Sequence, residues 1–478
     1  MKRWIARLLC LLLCCGALPV TAANEDQITR ISCSMFGDGA TGRGFCWFTA
    51  QNGNSDLLLL KEGETETGAK HYSGVCRAYR KQYSHQVAVT DLEPGTVYRY
   101  RVGDTQKDLW SDWCSFRTDN KDDSFSFLAI ADVQAGSREK FLKAANTLRQ
   151  AQRTLPQSEF TVNLGDYVND NTNEEWDIFF DTFSFNNQTQ TGVPVAGNHD
   201  GNFTNKFNTN CFKNMFCLDQ SVNRALEGVY YSFDYGNAHF TVLNTNDMYP
   251  MSQAQKNWLI NDVTNSHAMW NILLMHRSLY SAGKNINKPD TVIQRNLLLP
   301  LIDALEIDLV LSGHDHMYLR TAPMKGEKRV EPLNQITEPF HGEDVTFTLD
   351  PQGTVYAMPS TAGTKRYNVN QHALSPILDA ADKAFSTKDL GGCFATVEIE
   401  GERLVYRAYT VNDDTLERTL VDTYALAKTQ PTARKATRLD QSPVSTVTAW
   451  PVNLTAGLFG MVLSYLKLLV QVIAQAVR

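Results

Sequence analysis

The sequence predicts two folded domains: an all-β sandwich over residues 24–118, followed by an α/β domain of layered mixed β-sheets flanked by helices over residues 124–426. Three observations carry this reading. Short runs of alternating apolar and polar residues, separated by Gly, Asn and Asp clusters, fill the first region. Beyond the polar joint Thr118-Asp119-Asn120-Lys121-Asp122-Asp123, apolar runs alternate with amphipathic helical patterns. In that second region, five clusters of metal-type side chains spread over 185 positions each end an apolar run. At 478 residues the chain also exceeds what a single core of about 250–300 residues serves.

The first 23 residues read as a secretory signal peptide. Lys2, Arg3 and Arg7 form a basic start, Leu8 to Leu18 an apolar core, and Thr21-Ala22-Ala23 a small-residue cleavage site. Its removal takes the formal net charge from −7 to −10, because three cations and no anion leave. An acidic chain argues against nucleic acid as partner. The reading is therefore of a secreted, extracytoplasmic protein. Seven of ten cysteines remain after cleavage: Cys33, Cys46, Cys76, Cys114, Cys211, Cys217 and Cys393. Export permits disulfides. Four of these lie in the sandwich with their pairing open, and Cys211 and Cys217 are spaced to close a small loop.

In the sandwich, Gly44-Phe45-Cys46-Trp47-Phe48-Thr49 is one alternating run. A second strand, starting at Val87, meets the turn Leu92-Glu93-Pro94-Gly95 and then a third strand, Val97 to Val102. This pattern resembles a fibronectin-type-III-like domain. In the second domain the spacing predicts strands at 125–131, 160–164, 193–196, 270–275, 307–311, 353–358, 393–399 and 403–409. A hairpin spans 230–243, and helices cover 139–151, 176–183, 254–263 and 297–305. Residues 427–450 are Thr-, Ser- and Pro-rich and read as a linker. The segment 451–478 is apolar. Between Leu454 and Val477 the polar residues Ser464, Lys467, Gln471 and Gln475 fall in one narrow stripe, which predicts a helix suited to a membrane surface.

The five clusters carry the chemistry. They are Ala131-Asp132-Val133-Gln134, Leu164-Gly165-Asp166-Tyr167-Val168-Asn169-Asp170, Gly197-Asn198-His199-Asp200, Leu274-Met275-His276 and Gly313-His314-Asp315-His316. Strand carboxyl ends gather at one edge of such a sheet, where ligands bind. Asp132, Asp166, His276, His314 and His316 are oxygen and nitrogen donors suited to two ions of Fe, Zn or Mn. Asp166, on a tight Gly-Asp turn, suits a bridge between them, and Asn198 offers a neutral amide oxygen. Two such ions can hold a bridging hydroxide and clamp a phosphoryl group. Asp200 beside His199 is expected to raise that imidazole's pKa and fix its orientation. Arg277, Lys365, Arg366 and Tyr367 are candidate substrate contacts, since cations following these strands can hold phosphate oxygens.

The order D-x-Q, G-D, G-N-H-D, H, G-H-x-H resembles the calcineurin-like metallophosphoesterase superfamily. The sandwich in front, with Gly313-His314-Asp315-His316-Met317-Tyr318-Leu319-Arg320, is most similar to purple-acid-phosphatase-type enzymes of bacteria. The resemblance implies that Asp132, Asp166 and His316 hold one metal, while Asp166, Asn198, His276 and His314 hold the other. It implies a catalytic His199 that stabilises the transition state or protonates the leaving oxygen. The activity it implies is hydrolysis of small phosphate esters by in-line attack of a metal-bound hydroxide. The rival readings are a metal-containing binding protein weakened in catalysis, and a phosphodiesterase or nuclease. Two positions depart from the family. Asn169 stands where purple enzymes carry an iron-binding Tyr, and Gln134 stands where other members carry a His. The first metal thus has three expected ligands, with Gln134 or Asn169 as candidates to complete or support its coordination.

Overall fold

The computed structural model describes residues 26–201, 212–219, 229–246, 251–370 and 381–431. The expected signal peptide, most of the linker and the apolar segment 451–478 lie outside these residues. Among the described residues no helix is long and apolar enough to cross a membrane.

Residues 29–117 form the expected sandwich. One sheet pairs Thr29–Met35, Arg43–Thr49, Gln82–Val89 and Val75–Tyr79 in that order. The other is built on Asp56–Lys61 and Val97–Asp104, flanked by Lys70–Ser73, Leu109–Trp110 and Cys114–Arg117. The strands on either side of the Leu92-Glu93-Pro94-Gly95 turn therefore belong to different sheets. Phe45, Trp47, Tyr100 and Phe116 fill the space between the sheets, with Phe45 4.8 Å from Tyr100 and 5.5 Å from Phe116.

The sandwich is not a separate spacer. Thr29–Met35 lies parallel to Thr191–Pro194, with Ser34 opposite Gly192, so its first sheet continues into the second domain. The result is a sheet of twelve strands. Its second-domain part runs Thr191–Pro194, Phe160–Asn163, Ser124–Ile130, Gly392–Glu400, Arg403–Val411, Arg418–Ala427, Glu343–Leu349 and Asn334–Phe340. The first three of these are parallel neighbours. Arg43, fully buried, clamps the junction: it donates to Thr191 Oγ1 at 3.0 Å and to the carbonyls of Gly39, Gly42 and Arg117 at 2.6–2.7 Å.

A second sheet of seven strands faces this one, in the order Tyr231–Tyr235, Ala238–Val242, Trp270–Arg277, Leu309–Gly313, Val355–Pro359, Tyr318–Thr321, Ala381–Phe385. Ala238–Val242, Trp270–Arg277, Leu309–Gly313 and Val355–Pro359 are parallel. An aromatic stack joins the two layers: Phe160 stacks on Phe127 at 4.9 Å and meets Phe240 edge-on at 5.5 Å, and Phe240 stacks on Phe233 at 4.7 Å. The helices Arg138–Thr154, Asn173–Thr182, Gln253–Asn265 and Pro289–Ala304 cover the outer faces. Arg138–Thr154 buries Phe141, Ala144, Ala145, Leu148 and Ala151, an i, i+3, i+4, i+7, i+10 set.

Several expected bounds shift. The last helix starts at Pro289 and not 297, because Pro fits the first helical turn, and its Thr291 and Gln294 are buried although polar. The hairpin Asn334–Phe340/Glu343–Leu349 and the strand Arg418–Ala427 were not expected; much of their surface is solvent-facing and their alternation is weak in apolar residues. The pairing left open for the sandwich cysteines, and expected of Cys211 with Cys217, is also corrected. Cys33, Cys46, Cys76, Cys114, Cys217 and Cys393 are all free thiols, and all but Cys76 are buried as core residues. The expected loop closure by Cys217 is not made, and Cys211 lies outside the described residues.

One charge cluster, with His239 buried between a largely buried Asp262 and an exposed Asp234, ties the helix Gln253–Asn265 to the 231–242 hairpin. His239 lies 2.7 Å from Asp234 through Nδ1 and 3.0 Å from Asp262 through Nε2. Thr241 Oγ1 donates to the same Asp262 at 3.0 Å. Burial disfavours the imidazolium, but the bonds from Asp234 and Asp262 outweigh it and push the pKa up to about 9. The folded pKa lies above the ordinary value, so this stabilisation is complete below pH ~6.5 and is lost as pH rises through ~9. The wild-type protein should therefore lose on the order of 2–3 kcal/mol between those limits, relative to His239→Gln. Urea unfolding of both across this range measures the difference; parallel pH profiles would refute the assignment.

Candidate metal centre

The five clusters converge, and they do so from both sheets. Asp132, Asp166 and Asn198 follow the strands Ser124–Ile130, Phe160–Asn163 and Thr191–Pro194 of the large sheet. His276 lies within Trp270–Arg277, and His314 and His316 follow Leu309–Gly313, all in the second sheet. Every carboxylate ligand thus comes from one layer and every imidazole from the other. The donor atoms of Asp132, Asp166 and His316 lie within 4.8 Å of one another, as do those of Asp166, His276 and His314. Asp166 belongs to both groups, as a bridge requires. The Asn198 amide oxygen lies 3.2 Å from His276 Nε2 and joins the second group.

Backbone shape makes the convergence. Asp132, Asp166, His314 and His316 all have positive φ, at 52°, 55°, 82° and 48°. Left-handed backbone is costly for such residues and clusters at functional sites. Here it turns each chain sharply as it leaves its strand. Gly165 (φ 95°) is required by space as well: a Cβ there would lie 2.7 Å from His276 Nδ1. At Gly313 a Cβ would lie 2.7 Å from Asp132 Oδ2.

The imidazoles are oriented by groups behind them. His276 Nδ1–H donates to the Leu164 carbonyl at 2.8 Å, so Nε2 is the nitrogen left for a ligand. His316 Nδ1–H donates to the Lys365 carbonyl, leaving Nε2 3.3 Å from Asp132 Oδ1. Asp132 also accepts the His314 backbone N–H at 2.9–3.0 Å, a second bond across the seam. Burial opposes ionisation of Asp166, but His276 beside it prevails and holds its carboxyl well below the usual range. Burial likewise penalises a charged His276, yet Asp166 pushes its pKa up to about 9. Burial, then Arg277 and His276, keep His314 well below the ordinary value and hence neutral. A cation at this group would displace the proton that Asp166 favours on His276.

The residues present fit two ions in three respects. The donors are mixed oxygen and nitrogen, as Fe, Zn and Mn accept. The two groups share a carboxylate. The Gln134 side chain, 5% exposed and two residues after Asp132, has an amide oxygen with no hydrogen-bond partner.

Asp200 plays a different part from that expected, whereas His199 lies beside the donor groups. The His199 N–H donates to Asp166 Oδ1 at 2.7 Å, and its ring Nδ1–H donates to the Asn169 carbonyl at 2.5 Å. Asn169 thus serves as the rest for His199. Asp200 turns its carboxylate inward and accepts the N–H groups of Asp166 (2.9 Å), Tyr167 (2.8 Å) and Gly197 (2.8 Å). Three bonds to one buried carboxylate fix the Gly165-Asp166 turn against Gly197. Burial and the nearby Asp166 push the Asp200 carboxyl up to about 7. Sequence spacing could not show this, because the Asp200 partners lie 33 and 34 positions away in one case and three in the other. Tyr167 is buried among Trp176, Phe179 and Phe216, with ring centroids 5.1–5.7 Å apart, so it belongs to the core.

The substrate candidates separate. Arg277 influences His314 and is anchored by Asp290 at 2.7 Å. Tyr367 stacks its ring on His316 at 4.6 Å and 14°. Arg366 is instead taken up by Asp413 through two bonds of 2.7 and 2.8 Å. Lys284, which the sequence did not single out, lies 4.0 Å over the Tyr367 ring.

Comparison with known proteins agrees with this geometry. The calcineurin-like phosphoesterase family matches residues 125–318, and the N-terminal domain of purple acid phosphatases matches residues 29–118. An uncharacterized protein of Mycobacterium tuberculosis is 26% identical over 208 residues, 40% of this chain and 39% of that one. Purple acid phosphatase 21 of Arabidopsis thaliana is 25% identical over 280 residues, 56% of this chain and 60% of that one. The matched segments thus span less than two thirds of these relatives. The purple acid phosphatase PPD1 from yellow lupin seeds shares the fold, with a TM-score of 0.64 at 15% identity, over 85% of this chain and 75% of its own. The chain therefore carries, in residues 125–318, a calcineurin-like phosphoesterase domain, preceded in residues 29–118 by a domain matching the N-terminal domain of purple acid phosphatases.

Proposed function

We propose that this protein hydrolyses small phosphate esters at a two-metal centre and works outside the cytoplasm after loss of residues 1–23. The observation that carries the catalytic reading is the pair of donor groups sharing Asp166. Asp132, Asp166 and His316 would hold one ion, with Gln134 as a further oxygen donor. Asp166, Asn198, His276 and His314 would hold the other. When bound, two such ions supply Lewis-acid stabilisation of the phosphoryl oxygens and lower the pKa of a coordinated water. Export is supported by the basic, apolar and small-residue order of the first 23 residues.

The chain's own residues do the rest. Nδ1 of His199 is committed to the Asn169 carbonyl, so Nε2 is the atom that carries the exchangeable proton. From a partly exposed position beside Asp166, a protonated His199 can hydrogen-bond a phosphoryl oxygen and pass its Nε2 proton to the departing alkoxide. The Asn169 bond keeps the ring from rotating away, which preserves the geometry that proton transfer needs. Arg277, held by Asp290 and Asn246, presents positive charge on the His314 side. Its rigid anchoring suits it to neutralise charge on the phosphoryl group as the leaving bond breaks.

Three outcomes test this reading on the purified full chain. His199→Ala should lower kcat for p-nitrophenyl phosphate by about 10²–10³-fold with metal content unchanged. A variant with wild-type kcat would remove His199 from the mechanism. Asp166→Asn should reduce bound metal, measured by elemental analysis, at both positions together, because one carboxylate serves both donor groups; loss of only half would show that it does not bridge. Iron-loaded protein should lack the strong visible absorption of a tyrosinate–iron bond, since Asn169 offers no phenol and Tyr167 lies in the core. A purple protein would contradict this.

A further inference from the structure

We infer that Lys284, Lys365 and Tyr367 form a second anion subsite beside the metal centre, one that receives a phosphate carried on the leaving group of the substrate. The inference rests on the phosphoesterase reading and narrows its substrate class to bisphosphorylated esters.

The subsite is built on a firmly held loop. Asp315, the residue between His314 and His316, is buried and accepts from the Ser281 hydroxyl and from Asn285 Nδ2 at 2.5 Å. Gly283 N–H donates to Ser281 Oγ at 2.8 Å, and a Cβ at Gly283 would lie 2.7 Å from Asp315 Cγ. Asn370 N–H donates to the Ala282 carbonyl at 2.8 Å, joining this loop to the segment that carries Tyr367. Within 281–286 Lys284 is the exposed residue; its neighbours on both sides are buried. Its direction is therefore set by the loop.

Tyr367 has two distinct faces. One lies on His316, 4.6 Å away and nearly parallel. Lys284 Nζ, 4.0 Å from the centroid, must occupy the other, because an ammonium and an imidazole cannot both fit against one face at those distances. Lys365 lies close enough to Tyr367 to act on its phenol electrostatically, and its carbonyl orients His316. Two lysines thus flank one half-buried tyrosine that rests on a metal ligand.

Charge pairing sets these two apart from their neighbours. Arg277 is paired with Asp290, and Arg366 with Asp413. Among the described residues, no carboxylate pairs with Lys284 or Lys365. Two ammonium groups on one tyrosine, without a carboxylate partner among the described residues, form a complement to a polyanion. Lys284 Nζ stands outside the ligand cluster, separated from His316 by the thickness of the Tyr367 ring. An anion there is too far out to be the phosphoryl group under attack, and belongs to the portion of the substrate that departs.

The test compares glucose 6-phosphate with glucose 1,6-bisphosphate, which differ by one phosphate. The wild-type protein should show the higher kcat/KM on the bisphosphate. In Lys284→Met/Lys365→Met the ratio of bisphosphate to monophosphate kcat/KM should fall roughly tenfold, through KM, as expected for lost charge-assisted contacts. In the His199→Ala background, calorimetric affinity for glucose 1,6-bisphosphate should weaken by about the same factor when both lysines are replaced. No preference in the wild-type protein, an unchanged ratio in the double variant, or equal losses on both substrates would overturn the subsite. Hydrolysis of neither substrate would overturn the phosphoesterase reading with it, whereas hydrolysis of both without preference would overturn the subsite alone.

Discussion

The site exists because two sheets are held in register at their edges. Carboxylates arrive from the large sheet and imidazoles from the smaller one, so any sliding of one layer over the other would separate the donors. Hydrogen bonds cross that seam within the site: Asp132 accepts the His314 N–H, and His276 bonds the Leu164 carbonyl through Nδ1 and the Asn198 amide oxygen through Nε2. Behind them the aromatic stack of Phe127, Phe160, Phe240 and Phe233 fills the interlayer space. Well-packed layers of this kind resist shear, since small displacements forfeit dispersion contacts across the whole face. Placement of the donors is thus a property of the sandwich before it is a property of any loop.

Within that frame, Asp200 supplies the local lock. A carboxylate with three N–H groups around it holds the turn bearing Asp166 in left-handed backbone that it would otherwise leave. The cost of burying one acid is offset by the bonds it collects, and it frees Asp166 to face both donor groups. The arrangement is one carboxylate supporting another, with only the outer one reaching the ligands.

Much of this was legible in the sequence. Long, periodic segments such as Ser124–Ile130, Arg138–Thr154 and Gly392–Glu400 fell close to their expected positions, because one face of each is strongly apolar. The ligand set was readable because its residue types recur at strand ends. What stayed hidden depends on contacts between distant positions. Asp200 reads as a neighbour of His199 until its bonds to Asp166 and Tyr167 are seen. Arg366 reads as a free cation until Asp413 appears beside it, and Lys284 reads as an ordinary loop lysine until Tyr367 is found beneath it. The exposed hairpin Asn334–Phe340/Glu343–Leu349 escaped for the opposite reason: its pairing is made by backbone bonds that leave little trace in side-chain pattern.

The shared sheet has a practical meaning for anyone dividing this chain. Sequence pattern marks a boundary at residues 118–123, yet Thr191–Pro194 borders Thr29–Met35 and Arg43 satisfies three carbonyls at that border. Trimming the chain to its second domain would uncover the backbone of Thr191–Pro194 as a raw sheet margin, only four residues from Asn198. Such a margin invites edge-to-edge association. The front sandwich is in this sense a permanent cover for the layer that carries the donor groups, and the two matched regions share a single architecture.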